Sequence, residues 1–349
     1  LFSFLFVIFF NILLNHKHAS FISFILSFNY VQYINLTMKL DITIIIPYYN
    51  ECKTIIKTLD LISNLSIKPY EVILINSSST DNTSDLINEW IENNNIKNFQ
   101  NIFKNTFLPS TSKNIGIQLA QSEYIAFMDC DLNFKNDWIL DQYTALTKNN
   151  LDVVFGNVIL KGNSIFDICC VAHTYGYEKI NECVPGTILR KSCFKITGEF
   201  LSYRAGYDPQ WRKEVKKYLK YGFSNMHPLT YMNTNYAKNL WDLINKTILY
   251  TSSSNKINIS MKNILLIIIF LIIFLSAFFN QFLALIIFFA YFFLRSFLLP
   301  VIKSKSIFQF YYIPIFLFWL PITAIIIDFS KIFGIIKILT IKKKIRLWK

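Results

Sequence analysis

Three stretches decide the fold: TIIIPYYNE at 43–51, EVILINSSSTDNTSDL at 71–86 and STSKNIGIQLAQSEYIAFMDCD at 110–131. Each holds a short apolar run that stops at a polar cluster. Ile42 to Ile46 runs into Pro47, Glu71 to Ile75 into a Ser-rich turn, and Tyr124 to Met128 into Asp129, Cys130 and Asp131. Runs of this length, rich in β-branched residues, predict buried strands, and the helical spacing over 52–65, 85–91 and 112–120 predicts a helix after or before each. Alternating strands and helices call for a parallel sheet with right-handed crossovers. In such a sheet ligands bind outside the carboxyl ends of the strands, which is where PYYNE, NSSSTD and DCD collect. Two carboxylates one residue apart at a strand end offer oxygen ligands to a hard divalent ion, and that ion in turn neutralises a diphosphate.

In order and spacing these stretches resemble the family 2 glycosyltransferases, whose pattern reads I-P-x-Y-N-E, then V-V-D-D-G-S-x-D-x-T, then A-R-N-x-G-I-x-x-A-x-G-E-Y-I-x-F-L-D-x-D. The resemblance is dense over 43–131 and looser to about residue 240. It implies an α/β GT-A fold that binds a nucleoside-diphosphate sugar with Mg²⁺ or Mn²⁺ and transfers the sugar with inversion. By matching position, Pro47, Tyr49 and Glu51 border the nucleoside, Asn76 and Ser78 meet base and ribose, and Asp81 holds that loop. Lys113 and Asn114 fall near the sugar or diphosphate, and Asp129 and Asp131 take the ribose and the metal. Two positions depart from the pattern. Asn76 stands where the family has Asp, an uncharged and weaker acceptor. Lys113 stands for Arg, a point charge without the bidentate fork.

Further on, VPGTILRKSCFKITGEF at 184–200 resembles the family's acceptor loop, and AGYDPQWRKEV at 205–215 falls where the family reads G-E-D-x-D-L-x-x-R. Asp208 thereby takes the place of the catalytic base and Tyr207 that of the neighbouring Glu. Inverting transfer needs one carboxylate to take the acceptor proton as its oxygen attacks the anomeric carbon. A turn acid before Pro209 is the plain alternative for Asp208, and Glu199 is the other acid in this segment. Arg212 is the cation of 212–217 best placed to meet a phosphate.

Outward from this domain the 349-residue chain changes character: 53% of it is hydrophobic, 16% charged, and its net charge is +13. The apolar runs 264–279, 282–299 and 307–327 are roughly 24 to 32 Å long as helices, against a bilayer core of about 30 Å. Residues 330–349 carry seven Lys or Arg and no acid, set among Ile and Leu. That pattern suits a basic amphipathic tail on anionic lipid, and it reads the charge as a membrane-surface signature with no nucleic-acid partner. If the catalytic domain faces the cytoplasm, a third full span would export this tail against the positive-inside rule. A re-entrant or interfacial third segment, with Pro314 and Pro321 in it, avoids the conflict. Residues 1–37 read either as a signal anchor or as a doubtful leader before a true start at Met38. The organisation expected is thus a leader (1–37), a GT-A domain (38–249), a linker (250–263), membrane segments (264–329) and the tail.

The six cysteines lack zinc-site spacing and read as reduced, mostly buried thiols. The activity implied is that of a membrane-anchored glycosyltransferase of the inner or plasma membrane. It would act on a lipid-linked or membrane-proximal glycan in surface polysaccharide or lipopolysaccharide synthesis. A polyprenyl-phosphate sugar synthase and a non-catalytic scaffold of the same fold are the alternatives. A processive synthase is disfavoured by the lack of a Q-x-x-R-W motif.

Overall fold

The computed structural model describes residues 39–224, 228–232, 236–257 and 260–346, so the expected leader lies outside the described residues. The catalytic part opens with β1 (Lys39–Tyr48), α1 (Ile55–Ser63), β2 (Lys68–Asn76), α2 (Thr83–Asn93), β3 (Phe99–Phe103), α3 (Pro109–Leu119) and β4 (Tyr124–Phe127), as the sequence predicts except for β3, an edge strand it did not predict. It continues with β5 (Leu132–Asn133), α4 (Trp138–Lys148), β6 (Val153–Ile159), α5 (Ile165–Thr174), β7 (Ile180–Arg190), α6 (Phe194–Thr197), α7 (Tyr207–Tyr218), β8 (Tyr221–Phe223) and β9 (Leu229–Tyr231). All strands join one mixed sheet in the order β3-β2-β1-β4-β7-β6-β9-β5, with β8 also on β6. The first four in that order run parallel, whereas β7 is antiparallel to β4 and β6, and β9 antiparallel to β5. The chain steps from β1 out to β3 and returns on the other side at β4. That reversal opens a crevice between the carboxyl ends of β1 and β4.

Both faces of β1 are covered, which is why it reads as an unbroken apolar run rather than an alternation. Ile42, Ile44 and Ile46 pack with α1, α2 and α4, and Ile45 packs on the other face with Ile73, Ile117 and Phe127. Gly116 lets α3 lie against that second face, because a Cβ there would sit 2.4 Å from Ile45 Cγ2. Gly116→Val should cost about 1–3 kcal/mol by overpacking a filled core. The check is a lowered thermal midpoint of the full chain in detergent, and an unchanged midpoint would contradict this packing.

Past the sheet come α8 (Leu240–Ile257), α9 (Met261–Phe279), α10 (Gln281–Phe293), a π-helical turn (Leu294–Leu298), α11 (Leu299–Lys303) and α12 (Pro314–Arg346). Among the described residues, three segments are long and apolar enough to cross a membrane: Met261–Phe279, Gln281–Lys303 and Pro314–Ile338. The first two form a hairpin at Asn280, which ends one helix and caps the next by accepting from the Leu283 N–H. Two expectations are corrected here. The stretch expected as a linker is helical as far as Ile257, with Thr251 packed against Gly334 of α12. The basic tail is no separate helix, since α12 runs from Pro314 through Pro321 to Arg346.

A buried polar knot fastens the apolar helices to the sheet domain. Arg295, in the π-turn, donates from Nε and Nη2 to Asp328 at 2.5 and 3.0 Å, and from Nη1 to His173 Nδ1 at 2.7 Å. Tyr291 adds a hydrogen bond to Asp328 at 2.7 Å. His173 lies on α5 and its Nε2 reaches the Leu320 carbonyl at 2.7 Å. Burial and the adjacent guanidinium hold its pKa well below the ordinary value. The ring is therefore neutral, accepting at Nδ1 and donating from Nε2. All six cysteines are free, five of them buried.

Candidate active site

One cavity of about 850 Å³ lies over the crevice between β1 and β4 and runs on to α7, α8 and the first residues of α9. Of the residues expected from sequence, Pro47, Tyr49, Glu51, Lys113, Asp129, Asp131 and Asp208 line it. Asn76, Ser78, Asp81 and Asn114 do not, and their hydrogen bonds show what they do instead. Asn76 Oδ1 accepts from the Ser79 N–H at 2.8 Å, turning the loop after β2, and Ser78 holds a left-handed φ of 63° in that turn. Asp81 accepts from the Thr83 N–H and hydroxyl at 3.1 and 2.5 Å and from the Cys52 N–H at 3.4 Å, tying this loop to the one after β1. Asn114 is spent on Phe200, donating to its carbonyl at 2.8 Å and accepting from its N–H at 3.0 Å. That pair of hydrogen bonds fixes α3 to the segment before α7, and Asn114 does not line the cavity.

Carboxylates from two strand ends crowd the near half of the cavity. Burial, with Asp129 and Glu51 beside it, pushes Asp131 up to about 7. Its carboxylate takes no side-chain hydrogen bond from another described residue. Burial and the nearby Asp129 and Asp81 likewise hold Glu51 above its ordinary value, although it accepts from Thr54 Oγ1 at 2.8 Å. Like charges left this close and underpaired are what a cation relieves. Lys113 is the one cation buried among them. It is 2% exposed and stands 3.5 Å from Asp129 Oδ1 and 3.5 Å from the Tyr207 hydroxyl. Burial alone would lower its pKa; Tyr207 and Asp129 outweigh that and raise it, so it remains an ammonium.

Asp208 opens the first turn of α7, after Gly206 at a φ of 86°. Its Oδ2 accepts from the Val184 N–H of β7 at 3.1 Å, and its Oδ1 pairs with Arg212 Nε one turn on. Arg212 also reaches Glu182 at 2.7 Å, and Lys216 reaches the other oxygen of Glu182 at 2.9 Å. Arg212 is therefore committed to two carboxylates and is not a free phosphate ligand. Glu199 is exposed, bonded to Gln118 at 2.9 Å, and does not line the cavity. Sequence reasoning missed Glu182 and Tyr231. Tyr231 stands between the two halves because β9 pairs with β5, the short strand just after Asp131. Burial and the nearby Asp129 raise its pKa far above the usual phenol range. No local motif announces either residue, since only long-range strand pairing brings them in.

The donor set suits a divalent ion. Asp129 and Asp131 offer hard oxygen ligands. No three His, Cys, Asp or Glu among the described residues close on one point. The rest of such an ion's shell would therefore come from diphosphate oxygens and water.

Against known proteins, the profile described as "Glycosyl transferase family 2" matches residues 43–168. An uncharacterized glycosyltransferase of Haemophilus influenzae is 36% identical over 129 residues, 36% of this chain and 50% of its own length. A poly(ribitol-phosphate) beta-glucosyltransferase of Bacillus spizizenii is 30% identical over 130 residues, 35% of this chain and 19% of its own. The chain thus spans half or less of the length of these curated relatives. Among solved structures, the mannosyltransferase PcManGT of Pyrobaculum calidifontis, in complex with GDP-Man and Mn²⁺, aligns over 90% of this chain and 94% of its own. Its TM-score is 0.51 at 14% identity, a likeness of fold. Residues 43–168 thus match the glycosyltransferase family 2 model, within a GT-A-like α/β sheet that, among the described residues, leads into three apolar segments.

Proposed function

We propose that the protein is a membrane-anchored, inverting glycosyltransferase that moves a sugar from a nucleoside-diphosphate sugar to a lipid-linked or membrane-proximal glycan in surface polysaccharide synthesis. The observation that carries this reading is a single cavity with Glu51, Asp129, Asp131 and Lys113 in one half and Asp208 facing the other. In this reading Pro47 and Tyr49 border the nucleoside, while Asn76, Ser78 and Asp81 shape the loop that closes over it. Lys113 faces the diphosphate, and Asp208 takes the proton of the attacking hydroxyl. Mg²⁺ or Mn²⁺, held by Asp129 and Asp131, would neutralise charge on the leaving diphosphate. Lys113 supplies part of that neutralisation itself and is held in place by burial rather than by a tight ion pair.

The packing of α12 bears on how the chain meets the membrane. Phe316 and Leu320 of α12 pack in one cluster with Ile168, Cys169 and Ala172 of α5. Gly334 comes so close to α8 that a Cβ there would lie 2.9 Å from Thr251 Cβ. From Phe316 to Gly334, about 27 Å at 1.5 Å per residue, α12 lies along the catalytic part. That supports an interfacial third helix, which keeps the basic tail on the side of the catalytic domain and satisfies the positive-inside rule with that domain cytoplasmic.

The test is a thermal-shift panel of UDP-, GDP- and dTDP-sugars with and without Mn²⁺. It uses the full chain in detergent, because α8 and α12 complete the cavity wall and its support. At least one donor should stabilise the protein, more so with Mn²⁺. Stabilisation by none would end the transferase reading.

A further inference from the structure

The buried knot around Arg295 carries more positive charge than its one carboxylate balances. Asp328 accepts twice from Arg295, once from Tyr291 and once from Lys331 at 3.1 Å, so both of its oxygens are taken. Lys303, the last residue of α11, donates to the His173 carbonyl at 2.9 Å. The charges of Arg295, Lys331 and Lys262, which opens α9 with Met261, all act on Lys303, and those of Arg295 and Lys262 act on Lys331. Among the described residues, these four cations thus gather about Asp328, the only acid that forms an ion pair with any of them. Lys262 is exposed and Lys303 and Lys331 are half-buried, so a ligand can reach them. Like charges left in surplus are what an anion relieves.

The kind of anion follows from the cavity beside this cluster. It measures about 260 Å³, is lined by Ile269, Tyr291, Leu294, Arg295, Leu298 and Leu299, and shows an apolar surface throughout. At 1.5 Å per residue, Ile269 lies about 10 Å along α9 from Lys262, and Leu298 and Leu299 lie about 6 to 8 Å before Lys303. The hairpin turns at Asn280, so both distances run inward from its open end. The lysines therefore stand at the mouth and the cavity lies deeper between the apolar helices. A free anion has no use for such a cavity, whereas a phosphate that carries an apolar chain uses both. Ile302, one turn on from Leu298 and exposed, offers a second chain an apolar surface of its own. None of these residues lines the catalytic cavity, so a phosphate held here is not presented to Asp208.

We propose that Lys262, Lys303 and Lys331 hold the phosphate of an anionic diacyl phospholipid whose acyl chain occupies the cavity between Ile269 and Leu298, as a resident lipid that is neither donor nor acceptor. The site rests on the membrane-anchored part of the reading above and is independent of glycosyl transfer. Its three lysines come from α9, α11 and α12, so the phosphate ties the hairpin to α12. Through the bond from Lys303 to His173 it also ties both to α5 of the sheet domain.

The test uses the full chain in detergent, stripped of lipid and titrated with phosphatidylglycerol, phosphatidylcholine, farnesyl phosphate or inorganic phosphate, with bound molecules counted by native mass spectrometry. One phosphatidylglycerol per chain should bind, about tenfold more tightly than phosphatidylcholine, and inorganic phosphate at the same concentration should not displace it. Lys262→Gln/Lys303→Gln should weaken that binding about tenfold, the scale of two lysines acting on an anionic lipid. Leu298→Trp fills the cavity and leaves every lysine in place. It should weaken binding by a similar factor, and it decides the outcome if the lysine variant does not fold. Equal binding of phosphatidylcholine, or binding unchanged in Leu298→Trp, overturns the site. Farnesyl phosphate bound more tightly than phosphatidylglycerol overturns the phospholipid in favour of an isoprenoid phosphate, and displacement by inorganic phosphate overturns it in favour of a bare anion. A chain that stays in solution without detergent ends the membrane reading and the site with it. Selective lipid binding by a chain that binds no nucleotide sugar ends the transfer reading alone.

Discussion

Asp208→Asn should lower turnover by about 10³-fold, within the range a positioned general base contributes, and leave donor affinity within about twofold. The substitution is nearly isosteric, and the amide oxygen can still accept the Val184 N–H that Oδ2 accepts at 3.1 Å. Arg212 keeps Glu182 at 2.7 Å, so α7 stays tied to β7. What disappears is a basic oxygen that can take a proton, and with it the step in which the acceptor oxygen becomes a nucleophile. A base of this kind acts in the transition state and not on bound donor, so the loss should fall on kcat and not on donor binding. Full activity in the variant would move the base elsewhere, and Glu182 is the next carboxylate lining that half of the cavity.

The parallel half of the sheet was legible in the sequence because its signal is local. An apolar run such as Ile42 to Ile46 that halts at Pro47 marks both a buried strand and a strand end that opens on the cavity, and the same holds for the strand before Asp129. Positions in the motif proved less informative than the motif. Lys113 and Asn114 are adjacent on α3, but a helix turns its neighbours about 100° apart. Lys113 therefore faces the cavity while Asn114 binds Phe200. The far half of the site was illegible for a different reason. Tyr175, Tyr231, Tyr236 and Tyr250 come from separate elements with no shared spacing, and only the pairing of β9 with β5 and the packing of α8 on α12 gather them. The helical character of 250–257 was hidden in the same way. A polar run such as Thr251-Ser252-Ser253-Ser254 reads as a loop unless one knows that Gly334 lets α12 lie against it.

Asp131→Asn separates the two jobs of the carboxylate cluster. With donor and Mn²⁺ present the variant should lose most of its activity, about 10²-fold or more. A metal held by the two aspartates would stabilise a departing diphosphate by on the order of several kcal/mol, and the variant would leave it Asp129 alone, already 3.5 Å from the Lys113 ammonium. The same change should raise the thermal midpoint of the protein without metal or donor. Asp131 is half-buried beside Asp129 and Glu51, and its pKa, pushed up to about 7, shows that the folded state disfavours its charge. The sign follows from proton linkage. A carboxyl whose pKa is raised on folding destabilises the fold progressively as pH rises from its ordinary value near 4 to about 7, and an amide removes that cost. A calorimetric scan at pH 7.5 should therefore rank the bare variant above the wild type. Addition of Mn²⁺ with a nucleoside diphosphate should reverse the order, because that stabilisation is available only to a protein that binds the ion. A variant that melts lower than wild type in both conditions would mean that Asp131 holds the strand end together. In that case the metal-site assignment, and not merely its strength, would be wrong.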